Sequence, residues 1–231
     1  MKKILLISLG LALAPSAFAD NHSLNTVEQK ASYTLGADIA KNFRSQGLEI
    51  DIKAFSLGLE DALKERDLKL SEEEMMSAIN TVKDRMQKQQ LEKQKSAARK
   101  NLDEGKAFLA ENAKKEGVVT LDSGVQYKVL TKGKGESPTA EDTISAHYRG
   151  TLLDSSEFDS SYQRGTPLTL QMGSVIKGWG EVLKIMNPGS KWEVYIPSDM
   201  AYGEKGAGDA IGPNQALVFT IELISFEPAK K

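Results

Sequence analysis

The chain has 231 residues, of which 40% are hydrophobic and 27% charged, and its formal net charge at pH 7 is −2. This length fits one large or two ordinary domains, and the composition is that of a globular protein, not a membrane bundle. A slightly acidic chain is poorly suited to neutralising phosphates, so we expect no nucleic-acid partner. The chain has no cysteine and only two histidines. Disulfides and thiolate sites are therefore excluded, and we expect no metal or other cofactor.

The first nineteen residues have the pattern of a secretory signal peptide. Lys2-Lys3 precedes an apolar run over residues 4–14, and Ala17-Phe18-Ala19 is a small-residue cleavage site. The run is too short to span a bilayer comfortably, and an uncleaved membrane anchor is the alternative. We expect cleavage after Ala19 and a mature chain without a transmembrane segment. Its expected location is the periplasm, and association with the outer membrane and secretion are the alternatives.

The composition changes near residue 117. No proline occurs between Ser16 and Ser137, nearly half of residues 60–116 are charged, and thirteen of the nineteen glycines follow Gly117. Long charged stretches without proline are typical of helices, whereas glycine, proline and aromatic residues are typical of strands and turns. The predicted division is a signal peptide over 1–19, a helical domain with a spacer helix over 20–117, and a strand-rich domain over 118–231.

The helical half predicts three helices. Apolar residues at every third or fourth position indicate the first, at Leu24, Val27, Ala31, Leu35, Ile39 and Phe43. Asp51 can cap a second helix, whose apolar face contains Phe55, Leu59, Ala62 and Leu63. The third begins at a capping box over residues 71–74 and continues to about Lys115, with Gly117 as its end.

The third helix has an uneven apolar stripe. Residues 87–96 offer only Leu91 as an apolar side chain, so this stretch is expected to run through solvent as a spacer. The other two helices are short, and each has one narrow apolar face. Helices of this size need a partner to bury enough surface. We interpret the region as an intertwined homodimerisation module, and a compact monomeric three-helix cap is the alternative.

The C-terminal half predicts a curved antiparallel sheet with one short helix, which makes the fold class α+β. Strand patterns occur at residues 118–121, 125–130, 143–153, 168–172, 191–196 and 216–226. Residues 175–183 can form the short helix, before the turn Asn187-Pro188-Gly189.

Six short motifs follow one another in an order and spacing known from one protein family. They are His147-Tyr148-Arg149-Gly150, Phe158-Asp159-Ser160-Ser161, Val175-Ile176-Lys177-Gly178-Trp179, Ala201-Tyr202-Gly203, Ile211-Gly212-Pro213-Asn214 and Leu217-Val218-Phe219. Over about residues 120–227 the chain resembles the FK506-binding-protein (FKBP) type of peptidyl-prolyl cis/trans isomerase. The helical half resembles, by its layout, the macrophage infectivity potentiator (Mip) group of exported bacterial homodimers.

The resemblance implies a sheet wrapped on one short helix, and a cofactor-free isomerase acting on proline-containing unfolded or partly folded polypeptides. It also implies inhibition by macrolides of the FK506/rapamycin type. The implied catalytic residues are Tyr148, Phe158, Asp159, Tyr202 and Phe219. The implied substrate-binding residues are Val175, Ile176, Trp179, Leu168, Ala210 and Ile211. Trp179 is expected beneath the prolyl ring, and the Tyr202 hydroxyl and Ile176 amide are expected to donate hydrogen bonds to substrate carbonyls.

Several positions depart from the usual family pattern. Leu168 stands where many members have an aromatic residue, and Ala207 where some have a histidine. Ala210 stands where a bulkier aliphatic residue is frequent, and Met200 replaces a frequent tyrosine. We expect these changes to affect substrate preference and macrolide affinity more than catalysis. The alternative function is a dimeric periplasmic chaperone or host-interaction factor in which isomerase activity is secondary.

Overall fold

The computed structural model describes residues 23–229, so the expected signal peptide and its cleavage after Ala19 lie outside the described residues. In this part of the chain three α-helices precede an antiparallel sheet that carries two further short helices, which confirms the α+β class. The chain divides into two compact units, one up to Asn80 and one from Thr81. Within residues 23–229 no helix combines the length and the hydrophobicity that a membrane crossing requires.

The first two helices begin at well-formed N-terminal caps. Helix α1, Val27–Ser45, starts after Thr26, which completes a capping box. Helix α2, Ile52–Leu63, starts after Asp51, whose carboxylate accepts the amide hydrogen of Lys53 at 2.9 Å. The predicted cap at Asp51 is therefore confirmed. Such caps satisfy amides that have no partner within the helix itself.

Helix α3, Glu72–Asn112, is 41 residues long and begins at the predicted capping box. The Ser71 hydroxyl accepts the Glu74 amide at 3.2 Å, and the Glu74 carboxylate accepts the Ser71 amide at 2.8 Å. The helix ends three residues before the predicted Lys115, and the side chains of residues 87–96 are all exposed. The domain boundary at 117/118 stays a prediction, and the compact units of the structure meet instead between Asn80 and Thr81.

Among the described residues, seven strands form one antiparallel sheet in the order β1-β2-β6-β7-β3-β4, with β5 paired to β3. The strands are β1 Val118–Thr120, β2 Gln126–Thr131, β3 Thr143–Thr151, β4 Glu157–Ser160, β5 Leu168–Gln171, β6 Lys191–Ile196 and β7 Leu217–Glu227. The short helices are α4, Ser161–Arg164, and α5, Lys177–Leu183. Helix α5 is the predicted single short helix, and α4 is one further turn that the pattern did not predict.

The hydrophobic core lies between the sheet and α5. Alternate residues of β7 are buried, from Leu217 through Phe219 and Ile221 to Leu223, as a two-residue strand period requires. Val182 and Leu183 of α5 are fully buried in the same cluster. Each buried side chain of this size contributes roughly 1.5–3 kcal/mol relative to an exposed one. This packing fixes α5, and with it Trp179, against the central strands.

The C-terminal turns of α3 are joined to the sheet by buried amides. Asn112, which is fully buried, donates from Nδ2 to Oε1 of Gln126 on β2 at 3.0 Å. Gln126 in turn donates from Nε2 to the carbonyl of Leu109 at 2.8 Å. The Gln126 side chain therefore accepts a hydrogen bond from Asn112 and donates one to the helix backbone, in a place where both side chains are buried. This end of α3 is an integral part of the strand-rich unit.

Candidate active site

An apolar cavity of about 250 Å³ opens beside α5. Its lining residues are Tyr148, Phe158, Asp159, Leu168, Leu170, Ser174, Val175, Ile176, Trp179, Tyr202 and Phe219. Nine of the eleven residues expected at the site are in this set. They come from β3, β4, β5, α5, β7 and two loops, so only the folded chain brings them together.

Two expected residues do not line the cavity. Ala210 is exposed, and Ile211 is 5% exposed and belongs to the hydrophobic core. The backbone of Ile211 pairs with that of Ala207 in a short bridge, which turns this part of the loop toward the core. In this structure neither side chain covers the cavity.

Two lining residues were missed in the sequence reasoning. Leu170 stands two positions after Leu168 on β5, so the strand period places both on one face. Ser174 ends a short 3₁₀ turn before Val175 and has no comparable sequence signal. Leu168 and Leu170 therefore form an aliphatic side of the cavity.

Trp179 and three other aromatic rings form a cluster of edge-to-face contacts. The Trp179 ring centroid lies 5.2 Å from that of Tyr148 and 5.3 Å from that of Phe219, with interplanar angles of 80° and 85°. Phe158 meets Phe219 at 5.6 Å and 85°. Aromatic pairs prefer this arrangement, because a positive ring edge faces a negative ring face. Trp179 is 4% exposed, so its indole is a fixed part of the cavity.

A glycine lets α5 approach the sheet closely enough to place the indole. A Cβ atom on Gly178 would lie 2.4 Å from Cγ2 of Ile196, a contact that real side chains do not make. Helix α5 therefore lies with its backbone directly on β6. Trp179 follows this glycine, and its position depends on that close approach.

Tyr148, Asp159 and Arg164 form a hydrogen-bonded network at one edge of the cavity. The Tyr148 hydroxyl donates to the Asp159 carboxylate. Arg164 on α4 donates to the same carboxylate and also to the Tyr148 hydroxyl oxygen, the latter at 2.8 Å. Arg164 was not among the expected site residues, because its role depends on the turn of α4 that follows β4. The network leaves Asp159 with two donors and holds Tyr148 in one orientation.

The network keeps Asp159 ionised. Burial alone would raise the pKa of Asp159, but hydrogen bonds from Tyr148 and Arg164 and the Arg164 charge outweigh burial, so the pKa lies below its ordinary value. Burial and the bond to Asp159 raise the pKa of the Tyr148 hydroxyl. A carboxylate that is ionised and already accepts two hydrogen bonds is better suited to positioning Tyr148 than to taking up a proton.

Besides the buried Nε1 of Trp179, two donors at the cavity have no hydrogen-bond partner within residues 23–229. The Tyr202 hydroxyl makes no hydrogen bond there, and burial with the Asp159 charge raises its pKa, so it stays protonated at neutral pH. The Ile176 amide, at the start of α5, also makes no hydrogen bond in this part of the chain. An unpaired donor beside an apolar cavity is available to a bound carbonyl group.

The site has no arrangement for nucleophilic catalysis. His147 does not line the cavity: its ring stacks on that of Tyr162 at 4.7 Å, and its Nδ1 lies 3.0 Å from the Ser161 hydroxyl oxygen. In the described part of the chain, no three His, Asp or Glu side chains form a group that could hold a metal ion. What remains is an apolar cavity with an ionised carboxylate at one edge and two free donors. Such a site fits a compact apolar ring flanked by carbonyl groups.

Comparison with known proteins agrees with this geometry. Residues 28–129 match the domain that is amino-terminal to FKBP-type peptidyl-prolyl isomerases, and residues 134–224 match the FKBP-type peptidyl-prolyl cis-trans isomerase domain. The chain is 42% identical to outer membrane protein MIP of Legionella longbeachae, with 99% of both chains covered. It is 43% identical to peptidyl-prolyl cis-trans isomerase Mip of Coxiella burnetii, with 97% of this chain and 98% of the relative covered.

A solved structure matches both halves of the chain. The crystal structure of FkpA from Escherichia coli superimposes with a TM-score of 0.77 at 35% identity, covering 90% of this chain and all of that one. The whole-chain relatives and both domain matches carry the same assignment, so the chain belongs to the FKBP-type peptidyl-prolyl cis-trans isomerases and shares the two-domain layout of their Mip-like members.

Proposed function

We propose that this chain is an exported isomerase that assists protein folding by rotating X–Pro bonds in unfolded or partly folded polypeptides. The observation that carries the proposal is the pairing of an apolar, aromatic cavity with two unpartnered donors, Tyr202 and Ile176. A prolyl ring is compact and apolar, and the carbonyl groups on either side of it are hydrogen-bond acceptors.

The proposed chemistry requires no bond to be formed or broken. Rotation about the amide has a barrier of about 18–20 kcal/mol, because conjugation gives the C–N bond partial double-bond character. Water stabilises the planar, charge-separated amide more than the twisted one. An apolar cavity removes that preference, and a site complementary to the twisted form lowers the barrier.

Each part of the cavity then has one role. Trp179 supports the prolyl ring from below, with Phe158 and Phe219 at its sides. Tyr202 and the Ile176 amide hold the carbonyl groups that flank the rotating bond. Asp159 and Arg164 act through Tyr148, which they fix against the indole. A macrolide of the FK506 type would occupy the same cavity, with Leu168 affecting its affinity.

The proposal is tested by a prolyl-peptide isomerisation assay on the mature chain. We expect Trp179→Ala to abolish most of the activity, because it removes the base of the cavity. Tyr202→Phe should lower kcat/KM without changing the fold, since it deletes only the donor oxygen. Tyr33→Phe, a matched change at an exposed tyrosine of α1, is the control. If both cavity variants isomerised the peptide as fast as the unchanged protein, the assignment of this cavity as the active site would be refuted.

The helical unit supports a second part of the proposal, which is homodimerisation. No residue of α1 is buried, and its apolar face leaves Leu35 65% exposed. On α2, Leu63 is 76% exposed and Leu59 is also exposed. Apolar faces of this kind need a partner. A second copy of the chain would supply one and hold two catalytic cavities within one molecule.

Sedimentation of the full mature chain tests the dimer. Leu59→Asp should convert the dimer to a monomer, because a charge would be buried in an apolar interface. Lys30→Asp, on the opposite side of α1 from Leu35, is the control and should stay dimeric. A monomeric unchanged protein would refute this part of the proposal.

The same exposed faces favour one alternative, a chaperone that captures clients on its helices. Measuring how well the Tyr202→Phe variant suppresses aggregation of a client protein distinguishes the isomerase function from the chaperone function. Full suppression with little isomerase activity would make catalysis secondary. Cell fractionation tests export separately, and recovery of the chain in the cytoplasm alone would refute it.

A further inference from the structure

The loop over residues 197–216, between β6 and β7, carries Tyr202 to the cavity. Tyr202 is 40% exposed, and its hydroxyl makes no hydrogen bond within residues 23–229. The Tyr202 hydroxyl is therefore not held in place by a hydrogen bond of its own. Its position depends on how the loop backbone is held.

The loop is held from outside by α3. Asn101 donates from Nδ2 to the carbonyl of Pro213 at 2.8 Å. Asn214 donates from Nδ2 to the carbonyl of Ala98, one turn earlier on the helix, at 3.3 Å. The two bonds run in opposite directions between helix and loop, and both lie within the compact unit that begins at Thr81.

The helix backbone also comes unusually close at the end of the loop. A Cβ atom on Gly105 would lie 3.1 Å from Cβ of Ala216, tighter than most real contacts between side chains. Gly105 is buried, one turn beyond Asn101. The glycine lets the helix sit near enough for the two asparagines to reach their acceptors.

Asn214 connects the helix to the residue beside Tyr202. Its backbone adopts the left-handed conformation with φ of 56°, which asparagine tolerates better than most residues. In that conformation its amide donates to the carbonyl of Gly203 at 2.9 Å. Gly203 directly follows Tyr202. A path of two hydrogen bonds therefore runs from Ala98, through Asn214, to the carbonyl of Gly203, the residue that directly follows Tyr202.

We propose that Asn101 and Asn214 are positioning residues for the isomerisation, and that they act by fixing the loop that presents the Tyr202 hydroxyl. The inference rests on the proposed role of Tyr202 as a donor to the substrate. It follows that the stretch of α3 from Ala98 to Gly105 positions a group of the active site and is more than a connection to the helical unit. Its residues set the geometry of a group that they do not touch.

Two substitutions in the full mature chain remove the bonds with little change of shape. Asn101→Asp keeps the side-chain outline but replaces the donor with a carboxylate oxygen, which the Pro213 carbonyl repels. Asn214→Gly keeps the left-handed backbone and deletes the side-chain bond to Ala98. We expect each to lower kcat/KM about three- to tenfold, the range expected when a hydrogen bond of ordinary strength is lost.

A double-mutant cycle with Tyr202→Phe separates positioning from general destabilisation. Each asparagine substitution should lower the rate in the unchanged background and have no further effect when the hydroxyl is already absent. Asn112→Ala is the matched control: it releases α3 from Gln126 on β2, away from the loop, and should lower stability but leave kcat/KM unchanged.

Three results would overturn the proposal. The first is an unchanged rate in both asparagine variants, and the second is an equal loss with and without the Tyr202 hydroxyl. The third is a loss in Asn112→Ala as large as theirs. A silent Tyr202→Phe would instead refute the donor role of Tyr202, on which this proposal depends, so the two failures are distinguishable. If Asn101→Asp does not fold, Asn214→Gly alone decides the cycle.

Discussion

Gly150 on β3 is the residue at which a single methyl group should test the packing of the cavity most directly. It lies opposite Asp159 on one neighbouring strand and opposite Phe219 on the other. A Cβ atom at this position would lie 2.5 Å from Cζ of Phe158 and 2.8 Å from Cε1 of Phe219. Both rings line the cavity, so Gly150→Ala perturbs two of its sides at once.

The size of the effect follows from these distances. Carbon atoms pack at about 3.5–4.0 Å, so each ring would have to move by roughly 1 Å. Phe158 is partly exposed and can swing outward, whereas Phe219 is 3% exposed and is held by Trp179. The strain therefore falls on the Phe219 contact. Overpacking of this kind costs about 1–3 kcal/mol of unfolding free energy.

Urea unfolding and the prolyl-peptide assay measure the two consequences of Gly150→Ala. We expect a lower unfolding free energy and a fall in kcat/KM of about tenfold, equivalent to about 1.4 kcal/mol in the barrier. Gly173→Ala is the control, because a Cβ atom there has no neighbour within 4 Å. Unchanged stability and rate in Gly150→Ala would refute the argument that the backbone of β3 sets the spacing of the rings.

Three further predictions follow from individual contacts. Gly178→Ala should destabilise the chain and lower kcat/KM, because the new methyl group meets Ile196, and adding Ile196→Ala should restore part of the stability in urea unfolding. Arg164→Met should raise the pKa of Asp159, since the carboxylate loses a hydrogen bond and a neighbouring charge, and NMR titration of the carboxyl group measures this. The amide of Thr139 donates to Asp142 at 2.7 Å and holds the pKa of Asp142 below its ordinary value. A lowered pKa in the folded state means that ionised Asp142 adds to the free energy of unfolding above the ordinary aspartate pKa of about 3.9. This contribution is lost as the pH falls through the pKa that Asp142 has in the folded protein. Asp142→Asn should therefore make the free energy of unfolding less dependent on acid pH.

The elements that depend on local sequence could be predicted most closely. The caps at Asp51 and Ser71 need only side-chain and amide groups a few residues apart. The strand β7 was predicted from alternation, and its buried residues follow that alternation. Eight of the nine predicted lining residues came from motifs whose order along the chain is typical of the family, and the ninth, Leu168, came from a position where many members have an aromatic residue.

Features that depend on distant contacts could not be predicted. In the sequence, Gly105 is an interior helix glycine, and only the nearby Ala216 explains it. Asn101 lies in a charged helix whose neighbouring stretch was expected to run through solvent, yet it bonds to a carbonyl 112 residues away. Ile211 was expected among the substrate-binding residues, but it does not line the cavity, and it packs in the core beside its bridge to Ala207. Each of these contacts depends on the path of the loop over residues 197–216, and no local sequence pattern specifies that path.

The ionisable groups of the cavity also indicate how the rate should respond to pH. Three titratable side chains line it, those of Tyr148, Asp159 and Tyr202, and their pKa values are displaced away from neutrality. Near pH 7 the carboxyl group is therefore ionised and both hydroxyl groups are protonated. Because amide rotation transfers no proton, the structure predicts a level kcat/KM from pH 6 to 8. A bell-shaped profile within that range would require a general acid or base that the cavity does not contain, and it would contradict a mechanism based on shape and two donors.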